Sequence, residues 1–373
     1  MARSICFYTD SRELGGAELS LLMLIEGLDR ARWAPTLLLD DAPGNEALAE
    51  RAEELGASVR RIAPMPLGLG GARRAASLAR RLRAERPAVL HAHMSWPLAA
   101  KWALAAAVLA RVPCVGTVQL IPEFRLERSS FWQLRALARG VDRYVAVSRE
   151  IAGELAQRFR WPAGKVEVVY NAVRLERFGA PAPEGLREEL AGGRPLVLTC
   201  ARLDEQKGHD VLLRAAADLP GVAFAFAGEG PRRAELEALA AELGVADRVA
   251  FLGRRDDVPA LLAACDVFAL PSLYEGSSLA VLEAMAARRA VVSSAIGGTE
   301  ELIGDGSGLL VEPGDAAGLH AAVARLLGDA ELRAELGRRA RERVERDFAP
   351  GAMVGANERI YAELTAGERA ERR

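Results

Sequence analysis

The chain has 373 residues, half of them apolar and 27% charged, with a formal net charge of -2. That length is too great for one ordinary domain and sufficient for two with separate cores, and the apolar content excludes general disorder. The longest Ala- and Leu-rich run, residues 98–112, is interrupted by Lys101 and closed by Arg111, short of the roughly 20 apolar residues a membrane span needs.

The amino terminus moves directly into a strand-like run without a secretory pattern, so the expectation is a cytoplasmic protein with no transmembrane helix. From there to the carboxyl terminus, short β-like runs alternate with amphipathic helical patterns, the signature of parallel sheets covered on both faces. Strands are predicted near 3–9, 35–40, 57–62, 88–93, 113–118, 142–147 and 166–170 in the first half. In the second half they fall near 195–201, 222–228, 248–252, 266–270, 290–294 and 307–311. Helices include 17–29, 70–86, 98–110, 230–243 and 278–287. Residues 1–172 carry 24 basic and 18 acidic side chains, the remainder 25 and 33, so the halves differ in sign. Cys6, Cys114, Cys200 and Cys265 each sit in or beside an apolar run, the setting of a small buried hydrophobe rather than of a disulfide or zinc framework.

The stretch 173–193 collects Pro181, Pro183, Gly185, Gly192 and Gly193 around a few charges and reads as a linker. The predicted organisation is therefore a first domain over 1–172, a linker, a second domain over 194–350, a helix over 351–366 that packs back onto the first domain, and a disordered tail over 367–373.

Chemistry concentrates at strand ends. The strand at Asp266–Leu270 is followed by the loop Pro271 to Ser278 and then a helix, and in doubly wound sheets ligands sit where strands end and helices begin. Ser277 or Ser278 can cap that helix, and the free amides of its first turn, Leu279 included, suit a phosphate. Glu275 and Glu283 flank the same place. A carboxylate beside a phosphate is repelled, so their partners are hydroxyl donors, with one facing a sugar and the other a ribose. A turn glutamate and a solvated helix glutamate are the plain alternative. After the strand at 195–201, Arg202 and Lys207 lie five residues apart in a strand-to-helix loop and can clamp a diphosphate; a surface ion pair of Arg202 with Asp204 or Glu205 is the alternative. Near the amino terminus Gly15 and Gly16 precede a helix start, where a backbone without Cβ atoms can approach a ligand. Other glycine-bearing strand ends occur at Gly228 to Gly230, at Gly253 and at Gly297-Gly298, the last followed by Glu301.

The run from Asp266 through Glu283 to Ala286, with glutamates at 275 and 283, resembles the signature of the retaining glycosyltransferases of family four. The resemblance extends over nearly the whole chain and is strongest from 196 to 314. It implies the GT-B fold: an α/β protein of two doubly wound Rossmann-like domains facing across a deep cleft. It also implies a transferase that moves a hexose from a UDP- or GDP-linked sugar to a lipid, glycan or small-molecule acceptor with retention of configuration. Carried over residue by residue, Arg202 and Lys207 bind the diphosphate and stabilise the leaving group, Glu275 contacts the donor sugar, and Glu283 holds the ribose hydroxyls. Gly15 and Gly16 face the diphosphate from the other domain, while Gly253, Gly276, Ser277, Ser278 and Leu279 complete the donor site.

Departures from the family pattern are specific. Gln119 ends the strand at 113–118 where many relatives have a histidine, and glutamine exchanges no proton near neutral pH. His91 and His93, at the end of the preceding strand, are candidates to replace it in part, with His93 and Gln119 assigned to the acceptor side. Arg288-Arg289 and Ser277-Ser278 stand where a small residue with proline and a bulkier residue with glycine are usual. Arginines at 60–86, and Phe124, Phe131 and Trp132 among Arg125, Arg128, Arg135 and Arg139, suggest a surface for peripheral contact with an anionic membrane or for a charged acceptor, with an ordinary solvated arginine face as the alternative for the first cluster; the expected acceptor is lipid-linked or a polysaccharide. No nucleic-acid partner, metal or resident cofactor is expected; the nucleotide sugar is a co-substrate. Two other readings remain at this stage: a non-catalytic nucleotide-sugar-binding partner subunit and a nucleotide-sugar epimerase of the same fold.

Overall fold

The computed structural model describes residues 2–11, 14–66, 68–121 and 128–371. Thirteen strands form among these residues: β1 (Arg3–Thr9), β2 (Trp33–Asp40), β3 (Ser58–Ile62), β4 (Val89–Met94), β5 (Cys114–Val118), β6 (Arg143–Ala146) and β7 (Val166–Val168), followed by β8 (Leu196–Cys200), β9 (Ala223–Ala227), β10 (Val249–Gly253), β11 (Val267–Leu270), β12 (Ala290–Ser294) and β13 (Leu309–Val311). Each coincides with a strand predicted from apolar periodicity. They make two all-parallel sheets, in the orders β3-β2-β1-β4-β5-β6-β7 and β10-β9-β8-β11-β12-β13. The chain divides into two compact units, Met1–Ala172 with Pro350–Arg373, and Val173–Ala349.

Alternation along the strands builds the first unit's core. Ile5 and Phe7 of β1 point to one face, into a cluster with Leu21, Leu24, Leu37, Val89 and Tyr361. Cys6 and Tyr8 point to the other, into a cluster with Leu78, Leu82, Leu90, Met94 and Leu104. Because helices cover both faces, β4 is buried throughout and β1 from Ile5 onward, which is why these strands read as continuous hydrophobic runs. The helix Pro350–Glu371 belongs to this unit and packs against the helix Gly16–Gly27. At Gly27 an added Cβ would lie 2.5 Å from Val354 Cγ2, so the two helices approach closely there. His91, buried in β4, shares one hydrogen bond of 2.6 Å with the Tyr361 hydroxyl and another of 2.7 Å with Thr117 Oγ1. Burial holds its imidazole well below the usual range, so it is a neutral structural residue.

The second unit repeats the plan, with Val197, Phe224, Phe226, Val267, Ala269 and Val292 buried against the helices His209–Ala217 and Ala316–Gly328. All four cysteines are buried and free. Two expectations need correction. The stretch 173–193 is an ordered part of the second unit: the helix Leu186–Ala191 buries Leu186, Leu190 and Ala191, and the Arg187 guanidinium donates to Asp266 Oδ2 at 2.7 Å and to the Ala264 carbonyl at 2.6 Å. The tail beyond Gly367, polar enough to suggest disorder, continues the last helix as far as Glu371. No helix among the described residues is long and apolar enough to cross a membrane.

In both sheets the strand order reverses beside the first strand, between β1 and β4 and again between β8 and β11. The connections leaving a reversal point run to opposite sides of the sheet, which opens a crevice at the carboxyl ends of those two strands. Gly208 makes the second crevice possible. Its φ is +63°, and an added Cβ would stand 2.1 Å from the Pro271 carbonyl oxygen, because the loop after β11 passes directly over it. Gly244 has a similar φ of +67° and open space around it. Gly244→Ala should therefore cost only the left-handed backbone term of about 1–2 kcal/mol, whereas Gly208→Ala should cost at least about 2 kcal/mol more, from displaced backbone. Urea denaturation of both variants checks the ordering; equal losses would show that Pro271 yields freely.

Candidate functional site

The loops after β8 and β11 are bound to one another before any side-chain charge is considered. The Leu273 amide donates to the Gln206 carbonyl at 2.7 Å, and Gln206 Nε2 donates to the Tyr274 carbonyl at 2.9 Å. This lacing brings Lys207 to Glu275: the ammonium is ion-paired with the carboxylate, and Ser272 Oγ donates to the same Oε1 at 2.9 Å. Both side chains are largely buried, at 18% and 7% exposure. The sequence reading placed Lys207 on a diphosphate and Glu275 on a sugar. Folded together, the two opposite charges pair with each other. A diphosphate would reach the ammonium by competing with Glu275.

Arg202 is in a different setting. Its guanidinium pairs with Asp204 at 2.6 Å and is 60% exposed, the surface pair weighed as the alternative from sequence. The pair is exposed on the arginine side only, Asp204 being 13% exposed, so Arg202 changes partner at the cost of leaving a mostly buried carboxylate behind.

Ser278 caps the helix Leu279–Ala286, its Oγ accepting from the Val281 amide at 3.4 Å. Gly276 lies against Gly298 so closely that a Cβ on the latter would come 2.5 Å from the Gly276 carbonyl oxygen, which fixes the backbone just ahead of Ser277. The Gly253 carbonyl accepts from the Gly228 amide at 2.8 Å, joining the ends of β9 and β10. Glu301 lies in the helix Gly297–Ile303.

Glu283 stands inside the helix Leu279–Ala286, close enough to Cys200 at the end of β8 to raise that thiol's pKa. Among the described residues no hydrogen-bond or ion-pair partner reaches its carboxyl. Burial pushes it up to about 7, against a smaller lowering by the Arg177 charge. Arg177 was not singled out from sequence, because it lies in the supposed linker.

In the first unit, Gly15 precedes the helix Gly16–Gly27, and its amide is taken by Glu18 Oε2 at 3.1 Å. Glu18 Oε1 also accepts from Thr9 Oγ1 at 3.3 Å. A carboxyl group thus occupies part of the helix start that was read as an anion site. The signal was present in the sequence, a glutamate three residues after the cap, as in a capping box. Residues 12 and 13 of this loop lie outside the described residues, as do Phe124 and Arg125. Gln119 Oε1 accepts from Asn171 Nδ2 at 3.0 Å, and Asn171 Oδ1 from Ser20 Oγ at 2.7 Å. His93 is buried beside His91 and Phe7, with ring centroids 4.6 and 6.4 Å away, and burial lowers its pKa to about 3. Among the described residues, no group of three or more His, Cys, Asp or Glu side chains converges to hold a metal ion.

The raised pKa of Glu283 sets a sign for stability against pH. The folded carboxyl binds its proton more tightly than the unfolded one, whose value is 4.5, so stability is greatest below that value and falls as pH rises toward 7. The loss is on the order of 3 kcal/mol. Urea unfolding of Glu283→Gln against the parent chain at pH 5 and pH 8 should show the variant gaining relative stability at the higher pH. A difference independent of pH would place the carboxyl in water.

The Glycosyltransferase Family 4 pattern matches residues 14–177, and the Glycosyl transferases group 1 pattern matches residues 186–343. The chain is similar to a glycogen synthase of Mycobacterium tuberculosis, 32% identical over 305 residues that cover 77% of this chain and 71% of that protein. It is similar also to a lipopolysaccharide core biosynthesis glycosyltransferase of Rhizobium meliloti, 37% identical over 47% of this chain and 50% of that protein; the chain spans about half the length of such relatives. Its fold matches that of Anabaena HepE, solved in complex with UDP and glucose, with a TM-score of 0.85 at 24% identity over 97% of this chain and 100% of that one. With two strand-order reversals, the paired loops at one of them, and family patterns over both units, the chain belongs to the family-4 glycosyltransferases and carries the two Rossmann-like domains of the GT-B fold.

Proposed function

We propose that the chain transfers a hexosyl unit from a UDP- or GDP-linked sugar to a hydroxyl of a lipid, glycan or small-molecule acceptor, with retention at the anomeric carbon. The observation that carries this reading is the meeting of Lys207 and Glu275 at the β8/β11 reversal, beside the capped start of the helix Leu279–Ala286. A diphosphate seated there gains the ammonium and helix-start amides, and Arg202 can leave Asp204 to add a planar fork. As the bond from the anomeric carbon to the phosphate oxygen breaks, these groups take up the charge growing on the departing diphosphate. The acceptor oxygen bonds to the same face of the carbon and its proton passes to the departing phosphate. This accounting needs no protein nucleophile and no metal, since the two side chains supply the positive charge. Glu275, released from Lys207 by the phosphate, turns to the sugar hydroxyls. Glu283, with a pKa of about 7, is able to accept from or donate to the ribose. The complex of the Anabaena protein with UDP supports a uridine donor.

A lipid-facing surface is part of the same proposal. Trp132, in the helix Arg128–Gly140, is 64% exposed, and the Arg135 guanidinium lies 5.6 Å from its ring centroid. A neighbouring groove of about 600 Å³ is lined by Trp102, Val108, Leu109 and Leu137. An aromatic beside a cation suits the boundary between lipid headgroups and acyl chains.

Mass spectrometry of a donor-sugar panel incubated with the chain should show slow hydrolysis of at least one UDP- or GDP-sugar. Arg202→Ala should slow that release on the order of 30- to 150-fold, the loss of one charge-assisted contact in the transition state. Isomerised donor without release would point to an epimerase, and nucleotide bound but never released from its sugar to a non-catalytic subunit. Sedimentation with phosphatidylglycerol vesicles at low salt should carry the chain down, and Trp132→Ser should weaken it; no binding in low salt would remove the lipid surface.

A further inference from the structure

The first unit has its own reversal point, and the polar groups around it are left incomplete by the protein. Asp10 follows β1, Ser95 follows β4 and Gln119 follows β5, three strands that are neighbours in the sheet. Asp10 Oδ2 accepts from Ser95 Oγ at 3.4 Å, but among the described residues the buried Oδ1 has no partner. Among the same residues Gln119 Nε2 is likewise buried without an acceptor, although its Oε1 is held by Asn171. One strand position inward from Met94, His93 is 3% exposed, and both of its ring nitrogens lack partners among the described residues. A buried polar atom left without a hydrogen bond costs about 1–3 kcal/mol, and native proteins rarely tolerate several together. Here four such atoms line adjacent strand ends, at the place in a doubly wound sheet where ligands bind.

A single ligand that meets these atoms together has to be amphoteric. Asp10 Oδ1 requires a donor, Gln119 Nε2 requires an acceptor, and a neutral imidazole offers one of each. A hydroxyl group answers all three. A phosphate or carboxylate answers only the two donors, the amide and the imidazole N–H, and it would also face the Asp10 carboxyl and that of Glu18, which lies close enough to raise the Asp10 pKa. Among the described residues these two acids sit together with no cation bonded to either.

We propose that Asp10 is a specificity-determining residue, accepting a hydrogen bond from a hydroxyl of the acceptor while Gln119 donates to the same molecule, so that the acceptor end bound here is a neutral sugar or polyol rather than a phosphorylated one. The proposal rests on the transferase reading for the word acceptor; the binding preference itself does not.

The test uses the full chain and saturation-transfer NMR titrations of glucose, mannose, N-acetylglucosamine and myo-inositol, each against its own monophosphate, with and without UDP. At least one neutral probe should bind, and its monophosphate should bind at least about tenfold more weakly. Asp10→Asn keeps the shape but reverses the demand for a donor, and should weaken the neutral probe about tenfold while narrowing the preference over the monophosphate. Gln119→Leu should weaken the probe and leave the preference in place. UDP affinity should stay within about twofold in both. The proposal is overturned if no neutral probe binds, if the monophosphate binds better, or if both variants bind as the parent chain does. Failure of UDP to bind would instead count against the donor site, and the arms without UDP would still read out the acceptor preference.

Discussion

Everything at the candidate donor site depends on a backbone constraint: the loop that follows β8 lies beneath the loop that follows β11. Gly208 is pressed against the Pro271 carbonyl, and two hydrogen bonds from Gln206 and Leu273 fasten one loop to the other. Lys207 and Glu275 are 68 residues apart in sequence and meet only because β8 and β11 are neighbours across the reversal of strand order. The ion pair is thus a result of topology: it holds the ammonium at the reversal point, and a diphosphate gains that charge by displacing Glu275 from it.

The carboxyl groups of the two units share a second theme. Glu283 and Asp10 are both driven toward neutrality chiefly by burial, to about 7 and about 6. Asp10 follows β1 and Glu283 sits in the helix after β11, both beside a reversal point, and among the described residues each has at least one carboxyl oxygen without a hydrogen-bond partner. A carboxyl group kept there weakens the fold on ionisation, and the sites where sequence economy and stability disagree are usually those retained for binding.

The fold was legible in the sequence because parallel strands buried on both faces leave unbroken apolar runs such as Leu196–Cys200 and Val267–Leu270, whereas the edge strands β3 and β7, with Arg60, Arg61 and Glu167, are more polar. The positions of Lys207, Glu275 and Glu283 near one crevice were legible through loop placement alone. Their pairing was not, since the competition between Glu275 and a phosphate for one ammonium depends on the depth of burial. Composition misled in two places. Prolines and glycines at 173–193 conceal Leu186 and Leu190, which anchor that stretch, and charges after Gly367 conceal the continuation of a helix. Around Gly15 the pattern of a phosphate loop and the pattern of a capping box coexist, and Glu18 decides for the second at the Gly15 amide.

The first unit is discontinuous, and that has a consequence for synthesis. Met353, Ile360 and Tyr361 complete the cluster that covers one face of its sheet, and Tyr361 supplies the hydroxyl that satisfies His91. A nascent chain that has already exposed β1 to β7 outside the ribosome still lacks this cover, while residues 173–349 can collapse into a finished unit as they emerge. The half made first would be the half that matures last, with an apolar sheet face waiting through the translation of about half the protein.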